Sequence, residues 1–377
     1  MKKMKICHFG HKSILERSGG VEVVVYELAT RMAKRGYDVT CYNRSGHHVS
    51  GREFDAKKQS VHEGVRLKYV PTVQKRGLAA VSSSVFASVF AALSANKVVH
   101  IHAEGPAFMC WLPRLLGKRV IVTVHGLDHQ RAKWGRFART YIMMGEKNAV
   151  RFANEIIVLS KGVEQYFEKN YGRKTYYIPN GVTRPEKAEA QEITSRFGLE
   201  KDSYILFLGR IVPEKGLDYL IEAFKSVKTD KKLVIAGGSS DTQAYYEKLK
   251  AAAADDGRIV FTGFVQGRTL AELYSNAYVY TLPSDLEGMP LSLLEAMSYG
   301  NCCLVSDIAE CTEVIGGHGM VFRKSDVQDL REKLQYLCDH ETETDAIKAE
   351  SADYICEAYN WDTVVDETLR LYQRGMQ

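Results

Sequence analysis

Two loops of this 377-residue sequence carry residue types suited to phosphate and sugar. The first is Gly209-Arg210-Ile211-Val212-Pro213-Glu214-Lys215-Gly216, set between the apolar run Tyr204–Leu208 and a helical stripe that begins at Leu217. It places two cations at the amino end of a helix, where the dipole already disfavours positive charge. An anion between them reverses that penalty: a diphosphate would accept hydrogen bonds from Arg210, Lys215 and the free backbone amides. The plainer alternative is a solvated basic loop partly balanced by Glu214. The second loop is Ser284-Asp285-Leu286-Glu287-Gly288-Met289-Pro290-Leu291-Ser292-Leu293-Leu294-Glu295, after the apolar run 278–282. Pro290 suits a first helical turn and Gly288 lets the backbone approach a ligand. Glu295 lies among Leu293, Leu294, Ala296 and Met297, where a carboxylate is costly unless hydrogen-bonded, and a ribose diol offers two donors. Glu287 would meet sugar hydroxyls, and the amides of 288–292 a phosphate or leaving group. Here the alternative is one capping and one exposed glutamate.

Two weaker signals lie earlier in the chain. Ser18-Gly19-Gly20-Val21 is a second Gly-rich stretch between a strand and a helix, a pattern that many turns share. His125-Gly126 follows the apolar strand Arg119–Val124, and His102 ends the strand before it, so both would stand at strand carboxyl ends, where α/β sheets bind ligands. A satisfied structural histidine is the alternative for each. Neither G-x-G-x-x-G nor G-x-x-x-x-G-K-[ST] occurs, which argues against standard dinucleotide and P-loop sites. D-x-D, H-E-x-x-H, Cys/His clusters and G-x-S-x-G are also missing, so no metal site or serine hydrolase is expected.

These loops need a scaffold, and the hydrophobic pattern supplies one. Lys5–Phe9, 38–42, Val65–Val70, Val98–His102, Arg119–Val124 and 155–159 read as buried strands, with helical segments between most of them, the first over 21–35. Pro179-Asn180-Gly181 is a turn signal and 183–191 a polar linker. The alternation then restarts, with strands at Tyr204–Leu208, 233–236, 259–262, 278–282, Cys302–Ser306 and Met320–Phe322. Helices are expected over 217–227, 244–254, 269–275, 290–299 and 327–338. Such alternation implies parallel sheets in an α/β chain. Two doubly wound, Rossmann-like domains, 1–184 and 185–358, would face each other across a cleft, with a helix over 359–377 packing back across them.

The length fits two domains, and a charged fraction of 26% against 45% hydrophobic residues fits a globular chain. No apolar run reaches the ~18 residues of a membrane span. The first five residues run straight into a strand without the pattern of a signal peptide. With eight cysteines and no C-x-x-C pair, buried free thiols in the cytoplasm are expected. Charge is lopsided: residues 1–185 hold 31 Lys+Arg against 13 Asp+Glu, and the remainder 20 against 33. The basic half would face an anionic partner, or the two halves would attract each other.

Together these motifs resemble glycosyltransferase family 4, retaining enzymes of the GT-B fold, over essentially the whole chain. The E-x7-E pair, Glu287 and Glu295, is the most specific match. The resemblance implies that Arg210 and Lys215 neutralise a departing nucleoside diphosphate and that Glu295 holds its ribose. Glu287, with Gly288, Met289, Pro290, Leu291 and Ser292, would hold the sugar, and Gly263, Phe264 and Val265 would lie by the base. Gly19 and Gly20 would form the amino-terminal glycine loop, His125 would contact the sugar near its anomeric carbon, and His102 would be a sugar or acceptor contact. Thr183 departs from the Asp that often follows the family's Asn-Gly-Val turn. The stretch from Thr123 to Lys147 looks like a subgroup of rhamnosyl- and galactosyltransferases that build cell-surface polysaccharides.

The expected reaction moves a sugar from a nucleotide-diphosphate sugar to a glycan or polyprenyl-diphosphate-linked acceptor. No metal, no other cofactor and no nucleic acid partner are expected. The expected location is the cytoplasm, with peripheral contact at an anionic inner membrane face as an extension. The rivals are a nucleotide-sugar epimerase of the same fold and a non-catalytic nucleotide-sugar-binding partner.

Overall fold

A computed structural model describes residues 4–16, 19–47, 54–75, 77–131, 134–239 and 242–375. Ser18 of the glycine loop, and Ala132 and Lys133, lie outside them. The chain divides into two compact units, one of residues 1–180 with 361–377, the other of residues 181–360.

The first unit holds β1 (Lys5–Phe9), β2 (Asp38–Arg44), β3 (Val61–His62), β4 (Val65–Val70), β5 (Val98–His102), β6 (Arg119–Val124), β7 (Glu155–Val158) and β8 (Tyr176–Tyr177). They form one sheet in the order β3-β4-β2-β1-β5-β6-β7-β8, parallel except for the antiparallel pair β3–β4. The central strands are buried on both faces: every residue of β5 and all but Arg119 of β6 are core. This is why β6 reads as a largely apolar run rather than an alternating one, while β5 also buries the polar His100 and His102. The closing helix, Trp361–Gln373, belongs to this unit. Its Asp362 and Asp366 pair with Arg31 of the helix Gly20–Lys34 and with Arg35, which caps that helix, and Tyr372 is buried with its hydroxyl 2.5 Å from His100 Nδ1.

The second unit holds β9 (Tyr204–Leu208), β10 (Lys232–Ala236), β11 (Ile259–Gly263), β12 (Val279–Leu282), β13 (Cys302–Ser306) and β14 (Met320–Phe322). Its all-parallel order, β11-β10-β9-β12-β13-β14, is the 3-2-1-4-5-6 order of a doubly wound nucleotide-binding sheet. The polar segment after Asn180 is tied to this unit. The Val182 amide donates to the Tyr359 carbonyl, and the Gln191 and Ile193 amides to the buried Glu272 carboxylate. All eight cysteines are free thiols, six of them buried. No described helix is long and apolar enough to cross a membrane.

Candidate functional site

In each sheet the chain winds outward in both directions from the first strand, leaving a switch point beside it. In the second unit this point lies between β9 and β12, and the two loops singled out by their residue types leave those two strands. They touch. Gly216 has φ +64°, and a β-carbon there would sit 2.1 Å from the Pro283 carbonyl oxygen, so only glycine permits the approach. The Asp285 amide donates to the Glu214 carbonyl across the same seam.

The side chains interlock as well. Lys215 Nζ lies 2.5 Å from Glu287 Oε1, which also accepts a hydrogen bond from Ser284 Oγ at 2.6 Å. Glu287 is therefore not a solvated loop-tip carboxylate but the nearly buried partner of Lys215. Arg210 is exposed and forms no ion pair with any described residue. Asp285 accepts from Tyr219 Oη at 3.0 Å and Ser325 Oγ at 2.8 Å, which fixes the loop that carries Glu287. Pro213–Lys215 is one turn of 3-10 helix, and the α-helix Leu217–Lys225 starts only after Gly216.

After β12, Pro290 caps the helix Leu291–Ser298, whose first amides lack intrahelical acceptors. Glu295 is half-buried on it and accepts from Tyr274 Oη at 3.2 Å. Burial, then the Glu295 charge, pushes the Tyr274 hydroxyl well above its ordinary pKa, so it stays a donor. Ser292 Oγ accepts from the buried Tyr280 hydroxyl at 2.9 Å. Gly288 is buried; Met289 and Leu291 are half-buried and lean on the core. Gly263 ends β11 at φ +72°, followed by half-buried Phe264 and by Val265, a core residue.

The first unit's switch point lies between β1 and β5 and is lined with histidine. His8 Nδ1 is 3.1 Å from His102 Nε2, and His102 Nδ1 is 3.2 Å from His125 Nε2, a chain running from inside β1 to the end of β6. His100 faces Thr123 Oγ1 at 2.7 Å. Burial lowers His8 to about 3 and His125 to about 4; for His125 the nearby Asp128 and Glu22 charges work against that shift without cancelling it. These imidazoles are neutral at pH 7, hydrogen-bonding groups rather than charges. Gly10, at φ +108°, would place a β-carbon 2.1 Å from the His102 carbonyl oxygen, the same tight seam as at Gly216. Gly19 caps the helix Gly20–Lys34 in extended conformation, and Glu22 in its first turn accepts from the Lys12 amide at 2.9 Å.

Two family models tile the chain: Glycosyltransferase Family 4 over residues 18–184 and Glycosyl transferases group 1 over residues 189–369. The chain belongs to glycosyltransferase family 4. This glycosyltransferase is 28% identical over 312 residues to YqgM of Bacillus subtilis, an uncharacterized glycosyltransferase, covering 78% of this chain and 83% of the relative. Its fold is similar to sucrose-phosphate synthase from Thermosynechococcus elongatus, with a TM-score of 0.83, 19% identity and 99% of each chain covered. It is also similar to Anabaena HepE, solved in complex with UDP and glucose, with a TM-score of 0.79, 16% identity, and 97% and 98% of the two chains covered. The architecture is thus GT-B.

The structure of this glycosyltransferase brings together Lys215 and Glu287, 72 residues apart, and the row His8–His102–His125. Sequence reasoning named His102 and His125 but not His8, His11 or Tyr274, and it quoted Asp285 in the second loop without giving it a role. His11 pairs with the Asn43 side chain at 2.9 Å. His8 and Tyr274 lie inside a strand and a helix whose apolar patterns give no sign of a polar partner on another element, while His11 and Asp285 lie in loops.

Proposed function

We propose that this glycosyltransferase takes a hexose from a nucleoside-diphosphate sugar. It transfers the sugar, with retention at the anomeric carbon, to a hydroxyl of a glycan or polyprenyl-diphosphate-linked glycan in cell-surface polysaccharide synthesis. The observation that carries the donor reading is the pairing of Lys215 with Glu287 at the β9–β12 switch point, beside an exposed Arg210. The glycan acceptor and the hexose rest on the family resemblance; Anabaena HepE, bound to UDP and glucose, supports the donor class.

In this reading Glu287 holds Lys215 in place before the donor arrives and then faces the sugar. Arg210, Lys215 and the amides opening the helix Leu291–Ser298 stabilise the charge that grows on the departing diphosphate, a role other folds give to a metal ion. Glu295 receives the ribose hydroxyls, its orientation set by Tyr274. His125, uncharged at neutral pH, donates or accepts a hydrogen bond at the sugar without acting as a strong acid. A thermal-shift panel of nucleotide sugars tests the donor: one that binds only the folded chain raises its melting temperature with its affinity. Glu295→Ala leaving donor binding and turnover intact would remove the site assignment. Release of an epimerised donor without acceptor would favour the epimerase reading.

A second proposal, peripheral attachment to the cytoplasmic face of an anionic membrane, has its own support. The basic charge of residues 1–185 accompanies exposed Phe86, Phe90 and Leu93 on the helix Leu78–Leu93. Sedimentation with liposomes that ignores anionic lipid content and salt would count against it.

A further inference from the structure

We propose that Glu104, His129 and Glu146 of the first unit form a binding site for one divalent metal ion of the Mn2+ or Zn2+ class. The sequence offers no metal motif, because the three residues come from three separate elements: the short helix Glu104–Ala107, the turn Asp128–Gln130 and the helix Arg136–Phe152. Their donor atoms all lie within 4.8 Å of one another. His129 Nδ1 is 3.3 Å from Glu146 Oε2 and 3.9 Å from Glu104 Oε1. Both glutamates are 0% exposed.

The pattern of hydrogen bonds is what points to a cation. Each carboxylate has one oxygen held by donors. Glu104 Oε2 accepts from the Asp128 amide at 2.7 Å, and Glu146 Oε1 accepts from the hydroxyls of Tyr166, at 3.0 Å, and Tyr171. The other oxygens, Glu104 Oε1 and Glu146 Oε2, and His129 Nδ1 are buried, have no hydrogen-bond partner and face one another. Without an ion, a proton held between the two carboxyls is what fills this space, and burial together with the hydrogen bond to Glu146 raises Glu104 well above the usual carboxylate range. Two facing carboxylates out of water are otherwise too costly to keep ionised. A divalent ion neutralises both and uses all three orphaned atoms. Two oxygens and one imidazole nitrogen suit Mn2+ or Zn2+ better than a soft or purely oxygen-seeking ion. The tyrosines and the Asp128 amide are the outer groups that orient such ligands.

The backbone is shaped to make the cluster. Gly145 precedes Glu146, and a β-carbon there would lie 1.9 Å from the Glu104 carbonyl oxygen, so glycine lets the long helix close onto Glu104. Ala103, at φ +74° and ψ +156°, turns the chain from His102 to Glu104 in a region that L-residues rarely adopt. The ion would tie together the ends of β5 and β6 and fix the turn that begins three residues after His125. The site is independent of the donor reading, since none of its residues belongs to the second unit.

The full chain, stripped with EDTA and desalted, is titrated with Mn2+ followed by electron paramagnetic resonance, and separately with Zn2+ followed by metal analysis of the gel-filtered protein. One ion per chain and a higher melting temperature in its presence are expected. Glu146→Gln and His129→Ala should abolish stoichiometric uptake, and Tyr171→Phe should weaken it ~10–100-fold. If Glu146→Gln does not fold, His129→Ala, which alters a partly exposed side chain, carries the test with folding verified by circular dichroism. Retention of neither ion by the wild-type chain, or uptake unchanged in the folded ligand variants, overturns the proposal.

Discussion

The two sheets wind outward from their first strand in the same way, yet their switch points differ in kind. At the β1–β5 point the polar side chains are imidazoles, His8 and His102 buried and His125 half-buried, kept neutral by desolvation. At the β9–β12 point they are ionised: Lys215 against Glu287, with Arg210 exposed beside them. The backbone solution is shared, since Gly10 and Gly216 each let one loop pass 2.1 Å, measured from a notional β-carbon, from the carbonyl of the next. One architecture thus presents a neutral hydrogen-bonding surface in one unit and a charge-compensating one in the other. A diphosphate calls for the second, and a sugar or an acceptor hydroxyl is suited to the first.

The largest expected effect breaks the charged side of that contrast. Lys215→Ala should lower sugar transfer by at least ~100-fold, the scale of losing one group that stabilises transition-state charge. The corresponding neutral change, His102→Ala, should cost less. Steady-state rates at saturating donor measure both.

The shared seam comes next. Gly216→Ala should destabilise the protein by about 3 kcal/mol or more, because it adds a backbone clash to an unfavourable φ. Gly117→Ala is the control: it has φ +74° but open space around the β-carbon, so it should cost only about 1 kcal/mol. Equal denaturation midpoints for the two variants would mean the close approach is not needed.

Acid separates the two sides more gradually. His8 and His11 are fully buried, with folded pKa values of about 3 and about 4 against 6.5 when exposed. For His11, burial outweighs the opposing pull of Asn43 and Glu22, while Arg44 adds to the depression. Between pH 6.5 and 4 the unfolded chain binds protons that the folded chain refuses, so stability is full above 6.5 and falls as the pH drops. The slope approaches about 1.4 kcal/mol per pH unit for each such histidine. Hydrogen exchange should show the first unit opening before the second, whose histidines, His318 and His340, are not buried.

The smallest effect sharpens the charged side. Tyr274→Phe removes one hydrogen bond to Glu295 and should cost about 1 kcal/mol of stability. It should weaken binding of a nucleoside diphosphate more than that of pyrophosphate, since Glu295 is assigned to the ribose.

Much of this was legible in the residues. Apart from β3 and β8, two residues each and too short to give a run, the strands of both sheets follow the apolar runs to within a residue or two, because strands buried on both faces are mostly apolar. The loops at the β9–β12 point were legible too, since Gly, Arg, Lys and Glu beside a strand end have few structural uses. The helix Glu341–Ala358 was not, because its buried residues are Thr344, Ser351 and Ile355, and a stripe built from hydroxyls carries no hydrophobic period. Nor was the Lys215–Glu287 bond, or the meeting of Glu104, His129 and Glu146. Such pairings are set by the order of strands in the sheet, which a single chain's residue pattern does not encode.

The central claim is that a pyrophosphate is gripped where β9 and β12 part. A crystal structure of the chain with a nucleoside diphosphate such as UDP tests it most directly. The pyrophosphate should lie within hydrogen-bonding distance of Arg210 and Lys215, with the ribose on Glu295. Clear density for the ligand bound away from these three residues would contradict the account.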